Sequence, residues 1–91
     1  MPILKENKNI IIFKTREDGT SDLRTIGDDA FFESDLDYQD ENNPLVIPRT
    51  VEYIGDNAFG NNTNLKFIKY TGNYLSKFGL GWNNYNTLIT E

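Results

Sequence analysis

A nine-residue segment of the chain recurs with five positions identical. Leu23 to Phe31 (LRTIGDDAF) aligns with Val51 to Phe59 (VEYIGDNAF) at a fixed offset of 28 residues. A unit that short cannot bury its own apolar side, so duplicated units stack and share one core. The duplication therefore predicts that Ile26 lies beside Ile54 and Phe31 beside Phe59, with the strands that carry them running in the same direction. The expected fold class is an α+β repeat, or solenoid: a short stack of parallel strands with single-turn helices, about two clear repeats and terminal caps.

The rest of the chain divides around those copies into one domain, 1–91, because 91 residues leave room for a single modest core. Residues 1–22 form an N-terminal strand and cap, in which Ile10, Ile11, Ile12 and Phe13 read as a buried β-branched strand that ends at the Asp18-Gly19 turn. Residues 23–47 form repeat 1, where Gly27 ends a strand and Asp28 or Asp29 caps a turn of helix carrying Phe31. Residues 48–70 form repeat 2, opening after the strand Leu45 to Ile47 is stopped by Pro48. Asn61, Asn62 and Asn64 suit a bend whose side chains bond to their own backbone. From Phe31 to Leu45 takes 14 residues and from Phe59 to Ile68 nine, so about five extra, mostly acidic residues are expected within 33–43, between helix and strand. Residues 71–91 read as a divergent C-terminal cap, with Leu75, Phe78 and Gly79 in the places of Val51, Ile54 and Gly55, and Asn83-Asn84 with Leu88 echoing Asn61-Asn62 with Leu65.

The segment VEYIGDNAF, preceded by Ile47-Pro48 and followed by Asn64-Leu65 and a strand, resembles the repeat of the BspA-like leucine-rich repeat family, whose unit of roughly 23 residues has this order. The second copy fits throughout; the first fits over Leu23 to Phe31 and Leu45 to Pro48. The cysteine that many members carry after the Phe is absent, and Asn61 or Asn62 stands near its place. The resemblance implies a parallel-stranded horseshoe segment and a binding role, often at microbial cell surfaces. It brings no catalytic residues with it.

Composition narrows the function further. With no Cys and no His, the chain lacks thiolate ligands, disulfides, the usual general base and the commonest transition-metal ligand. No cofactor or metal is expected. Acidity is concentrated: residues 17–41 carry ten carboxylates against Arg24, whereas 1–16 and 42–91 are slightly basic. Such a field repels nucleic acid and attracts basic protein surfaces. The longest apolar run, Ile10 to Phe13, is too short for a signal-peptide core or a membrane span, which leads to a cytoplasmic expectation.

The candidate partner-binding residues are Asp35, Leu36, Asp37, Tyr38, Asp40 and Glu41, in which two apolar anchors sit inside a charged rim. The alternatives are a plainly solvated loop, or Leu36 and Tyr38 folded back onto Phe32. A calcium loop is disfavoured because Gln39 and Asp40 replace the usual ligand and glycine and Val46 replaces the bidentate glutamate. Asp28-Asp29 is better explained by capping than by a hydrolytic dyad, and Asn61-Asn62-Thr63 by a turn than by glycosylation. Tyr70, Tyr74, Phe78, Trp82 and Tyr85, interleaved with Lys66, Lys69 and Lys77, are better read as core or as a self-association patch than as a single-strand nucleic-acid platform. The expected function is a non-enzymatic protein-binding module, in one version a small inhibitor that occludes a basic, nucleic-acid-binding protein surface. The alternative is a structural fragment of a longer repeat-containing microbial surface or adhesion protein.

Overall fold

A computed structural model describes residues 9–83 and 86–90. Its elements are short: β1 (Thr25–Ile26), β2 (Leu45–Ile47), β3 (Tyr53–Ile54), β4 (Phe67–Tyr70) and β5 (Thr87–Ile89), with one 3-10 turn over Leu75–Lys77. They form two small parallel sheets, β1-β3 and β2-β4-β5. The 28-residue offset reappears as register, Thr25 against Tyr53 and Ile26 against Ile54. In the second sheet Leu45, Val46 and Ile47 face Ile68, Lys69 and Tyr70, and Phe67, Ile68 and Lys69 face Thr87, Leu88 and Ile89.

Because side chains alternate across a strand, each strand buries one side. Ile26, Ile54, Leu45, Ile47, Ile68 and Tyr70 are buried, while Thr25, Tyr53 and Val46 are exposed. Through the core runs a file of rings. Phe13 meets Phe31 edge-on at 6.0 Å, Phe31 stacks on Phe59 at 5.3 Å and 8°, and Phe59 meets the edge of Trp82 at 6.5 Å.

The single-turn helices expected after Gly27 and Gly55 are absent among the described residues. Asp29 and Asn57 both take the left-handed conformation at φ 57°, as do Glu33 and Asn61 at φ 53° and 54°. Asp and Asn enter that region more readily than most residues, and a residue there cannot continue a right-handed helix. The segment becomes a tight turn instead, and its amides point across to the next unit: Asp29, Phe31 and Glu33 donate to the carbonyls of Asp56, Ala58 and Gly60. Asn57 and Phe59 donate in the same way to Leu80 and Trp82, which places Gly81, at φ 70°, in the third equivalent position.

The repeated Asp after Ile-Gly is therefore a tie between units, not a helix cap. Asp28 Oδ1 accepts the Asp56 amide at 2.9 Å, and Asp56 Oδ1 accepts the Leu80 amide at 2.9 Å. The glycine before it is required by that approach. A Cβ on Gly55 would lie 2.5 Å from Asp28 N, and one on Gly79 2.6 Å from Asp56 N, whereas one on Gly27 would meet nothing within 4 Å.

Tyr38 pairs with Leu65 and Leu45 with Ile68, so four of the five extra residues bulge out between Tyr38 and Leu45, ahead of β2. Two further expectations need correction. Ile10 to Phe13 is not a buried strand. Only Asn9 bridges, to Leu36, while Ile11 and Phe13 turn inward and Ile10 and Ile12 remain 54% and 82% exposed. Leu88 lies opposite Ile68, not in the place of Leu65, and Asn84 and Tyr85 fall outside the described residues.

Candidate functional site

The acidic segment meets the N-terminal segment around the Tyr38 hydroxyl. That hydroxyl accepts the Ile11 amide at 2.9 Å and donates to the Ile11 carbonyl at 2.6 Å. By taking both backbone groups of Ile11 it holds residues 10–13 away from β2, and an open groove of about 730 Å³ lies between them. Ile10, Ile12 and Val46 provide its apolar lining, Pro44 and Asn43 one wall, and Asp37 and Asp40 an acidic rim. A second hollow of about 320 Å³ continues past Thr15 and Val46 to Pro48, Arg49 and Lys69. Together they make a trench that starts between β2 and residues 10–13 and ends over Lys69, the β4 partner of Val46.

Charge differs between the ends of this trench. Asp37 and Asp40 mark one end; their carboxylates accept Gln39 Nε2 and the Asn42 amide, each at 2.9 Å. Arg49 and Lys69 line the other together with Asp18, whose carbonyl accepts from Arg49 at 3.2 Å. Near that end, Asp18 is held below the usual carboxylate pKa chiefly by the Thr20 hydroxyl and then by the Thr20 amide, and Asp22 by its hydrogen bond to and charge attraction for the Arg16 guanidinium.

Of the six sequence-chosen residues, Asp37, Tyr38 and Asp40 come together on the trench, and Asp35 and Glu41 are exposed away from its lining. Leu36 is corrected: at 2% exposure it is a core residue, and its amide donates to Asn62 Oδ1 at 2.9 Å, so it offers no surface anchor. The apolar contacts that sequence reasoning missed are Ile10, Ile12 and Val46. A run of four apolar residues invites burial on both sides, but the alternation of a strand leaves every second one outside unless another layer covers it.

Several alternatives fall away on geometry. Among the described residues no three carboxylates converge as a metal ligand set would. Tyr70, Phe78 and Trp82 pack on one another inside the core, at 5.0 Å for each neighbouring pair, so they present no stacking platform. Asn62 is buried and joins the first two units, its Nδ2 donating to the carbonyls of Phe31, Phe59 and Gly60. The bend expected to bond only to itself is thus also a tie across the stack. No helix among the described residues is long and apolar enough to cross a membrane.

No protein-family model, curated protein or solved structure is detectably similar to this chain.

Proposed function

We propose that this chain is a short leucine-rich-repeat-like solenoid acting as a non-enzymatic protein-binding module, with the trench beside β2 as its contact surface. The observation that carries the proposal is the apolar groove of about 730 Å³ rimmed by Asp37 and Asp40. Covering an exposed isoleucine such as Ile12 is worth about 1.5–3 kcal/mol, which makes the lining the source of affinity. The concentrated carboxylates supply attraction and speed of encounter toward a basic partner surface, including one that would otherwise hold nucleic acid.

The test is capture of partners from the native source with the unaltered chain as bait, followed by titration of each purified partner. Asp37→Lys with Asp40→Lys should weaken binding at least tenfold, Ile12→Asp should do the same, and Asp35→Lys should do little. A partner indifferent to the first two changes removes the trench from the mechanism.

A second reading is favoured by one feature. Gly27 keeps the seat that Gly55 and Gly79 need, yet among the described residues no tie from a preceding unit occupies it. A piece of a longer repeat protein, with a further unit seated there, would have this form. Sedimentation separates the two readings in part, because an unfilled strand edge promotes self-association.

A further inference from the structure

We infer that the open end of the stack, at residues 27–32, is a second binding surface, and that it takes a tight turn of the repeat's own kind from a different polypeptide. The guest turn carries an aspartate followed by an asparagine or glycine in the left-handed conformation. This goes beyond the trench and uses a separate face of the chain.

The junctions inside the stack show what such a guest must bring. Where the first unit covers the second, Gly55 donates its amide to the Ile26 carbonyl at 2.8 Å and Asp56 donates its amide to Asp28 Oδ1 at 2.9 Å. In return the amides of Asp29, Phe31 and Glu33 donate to the carbonyls of Asp56, Ala58 and Gly60. Gly55, Ala58 and Gly60 are buried by this cover. The second unit covers the third in the same way, through Gly79 to the Ile54 carbonyl, Leu80 to Asp56 Oδ1, and Asn57 and Phe59 to the carbonyls of Leu80 and Trp82. The corresponding groups of the first unit stand uncovered. Among the described residues the amides of Gly27 and Asp28 and the carbonyls of Asp28, Ala30 and Phe32 have no hydrogen-bond partner. Gly27 and Ala30 are exposed, and Phe32 is 39% exposed. Phe13 already covers the Phe31 ring from its edge, so backbone groups and one carboxylate are what remain to be matched.

Gly27 gives the approach its room. A Cβ on Gly55 would lie 2.5 Å from the Asp28 amide nitrogen, so a covering turn comes this close only over glycine, and Gly27 supplies it with nothing within 4 Å. The aspartate of the guest then accepts the Asp28 amide, and a hydrogen bond to an ionised acceptor is stronger than one between neutral groups. The residue after it turns the following amides toward the seat, as Asp29, Asn57 and Gly81 do at φ 57°, 57° and 70°. Asp29 already places a carboxylate on the seat, so an uncharged asparagine or glycine suits the guest at that place better than a second aspartate. The last unit of this chain does not meet the requirement. Leu80, 83% exposed, stands where the aspartate belongs, so a second copy offers backbone amides without the carboxylate. The guest is therefore another polypeptide.

The experiment uses the full chain, labelled for amide NMR, as acceptor. One probe is an unlabelled full chain with Leu80→Asp, which puts the missing carboxylate on the last unit, and Gly27→Ala, which closes its own seat. The other is a synthetic peptide copying residues 54–61 (IGDNAFGN), with its Asp56→Leu version as control. The double variant should shift the Gly27 and Asp28 amides, slow exchange of the Asp28 amide with solvent, and bind at least tenfold more tightly than the Gly27→Ala chain that keeps Leu80. The peptide should act at the same residues and its control should not. Gly27→Ala in the acceptor should abolish the response and leave its urea midpoint unchanged or raised. Equal binding with and without the aspartate overturns the requirement for a carboxylate. Self-association of the unaltered chain that Gly27→Ala removes makes a second copy the guest and overturns the separate partner, as does a native protein with a further unit ahead of residue 1. If neither probe shifts Gly27 or Asp28, the open end is not a binding surface. None of these outcomes touches the trench, which is tested by titration of captured partners against Asp37→Lys with Asp40→Lys.

Discussion

Gly27 and Gly55 hold the same place in the repeated motif, yet Gly27→Ala and Gly55→Ala should have opposite effects. A Cβ at position 55 would lie 2.5 Å from the Asp28 amide nitrogen and 2.7 Å from Asp28 Cα, and closer still to the carboxylate. Ordinary carbon contacts need roughly 3.5–4.0 Å, so the two units must part by about 1 Å along a line that includes backbone. Such overpacking costs about 1–3 kcal/mol. The shift also stretches the 2.9 Å bond from the Asp56 amide to Asp28 Oδ1. A bond to a charged acceptor is worth about 1.5–3 kcal/mol. Against this stands a gain of about 0.4–1 kcal/mol from a less flexible unfolded chain. The net loss is about 2–5 kcal/mol, a large part of the roughly 5–14 kcal/mol typical of a domain this size.

At position 27 only the entropy gain applies, because nothing lies within 4 Å. Gly27→Ala should therefore be neutral or stabilise by up to about 1 kcal/mol. Urea unfolding of the three proteins, fitted with a common slope, reads the difference directly. Equal losses at the two positions would mean that the glycine is kept for backbone conformation alone. The inter-unit tie through Asp28 would then not be what fixes the motif.

Asn62→Ala should cost about 2–4 kcal/mol, because the buried Leu36 amide loses its acceptor and three carbonyls lose a shared donor. Asn62→Asp should cost more, since it buries a charge and turns a carboxylate oxygen toward the Phe31, Phe59 and Gly60 carbonyls; thermal unfolding at pH 7 ranks the pair. Burial is the main cause that raises the Tyr70 hydroxyl above its ordinary value of 10.0. Its stabilising contribution is therefore complete below about pH 10 and lost as pH rises through the folded value, when unfolded tyrosine ionises first. Tyr70→Phe should cost about 1–2 kcal/mol at pH 7 by orphaning the Val51 carbonyl, and should flatten the alkaline decline in denaturant midpoint. Asp18 and Asp22 have the opposite sign. Their folded values lie below 3.8, so what they add is present above about pH 4 and fades as pH falls through those values. Asp18→Asn should thus matter at pH 6 and converge on the unaltered chain as pH falls through the folded value, in the same unfolding assay.

How much of this could be seen beforehand depends on which residues carried the information. The LRTIGDDAF and VEYIGDNAF copies fixed a pairing because equal spacing in a stack becomes equal register, and the inward places of Ile26, Ile54 and Phe59 followed from strand alternation. The turn did not follow, since Asp and Asn suit a helix cap and a left-handed turn equally well. Only the neighbouring unit's carbonyls at Asp56, Ala58 and Gly60 decide between them. Leu36 was hidden by its acidic neighbours: polarity around a leucine says nothing about a side chain that points the other way. The trench was invisible because it is made by residues some 30 positions apart and held open by one hydroxyl, that of Tyr38.

The two ends of the molecule differ in a way that bears on where partners bind. Each tie runs forward, from Asp28 to the Asp56 amide and from Asp56 to the Leu80 amide. At the third place stands Leu80, 83% exposed and without a carboxylate, so the series has nothing with which to hold another unit there. At the first end the receiving parts persist: among the described residues the Gly27 seat is open and the Val46 edge is unpaired. Residues 9–13 pass near that end but meet it only at Asn9, Tyr38 and Phe31. The ties thus end at the last unit while the Gly27 seat stands open at the first, among the described residues. The acidic bulge has grown on the same side, between Tyr38 and Leu45, where it borders the groove. The extra residues therefore do more than decorate the fold, because they set the charge beside the free edge of β2.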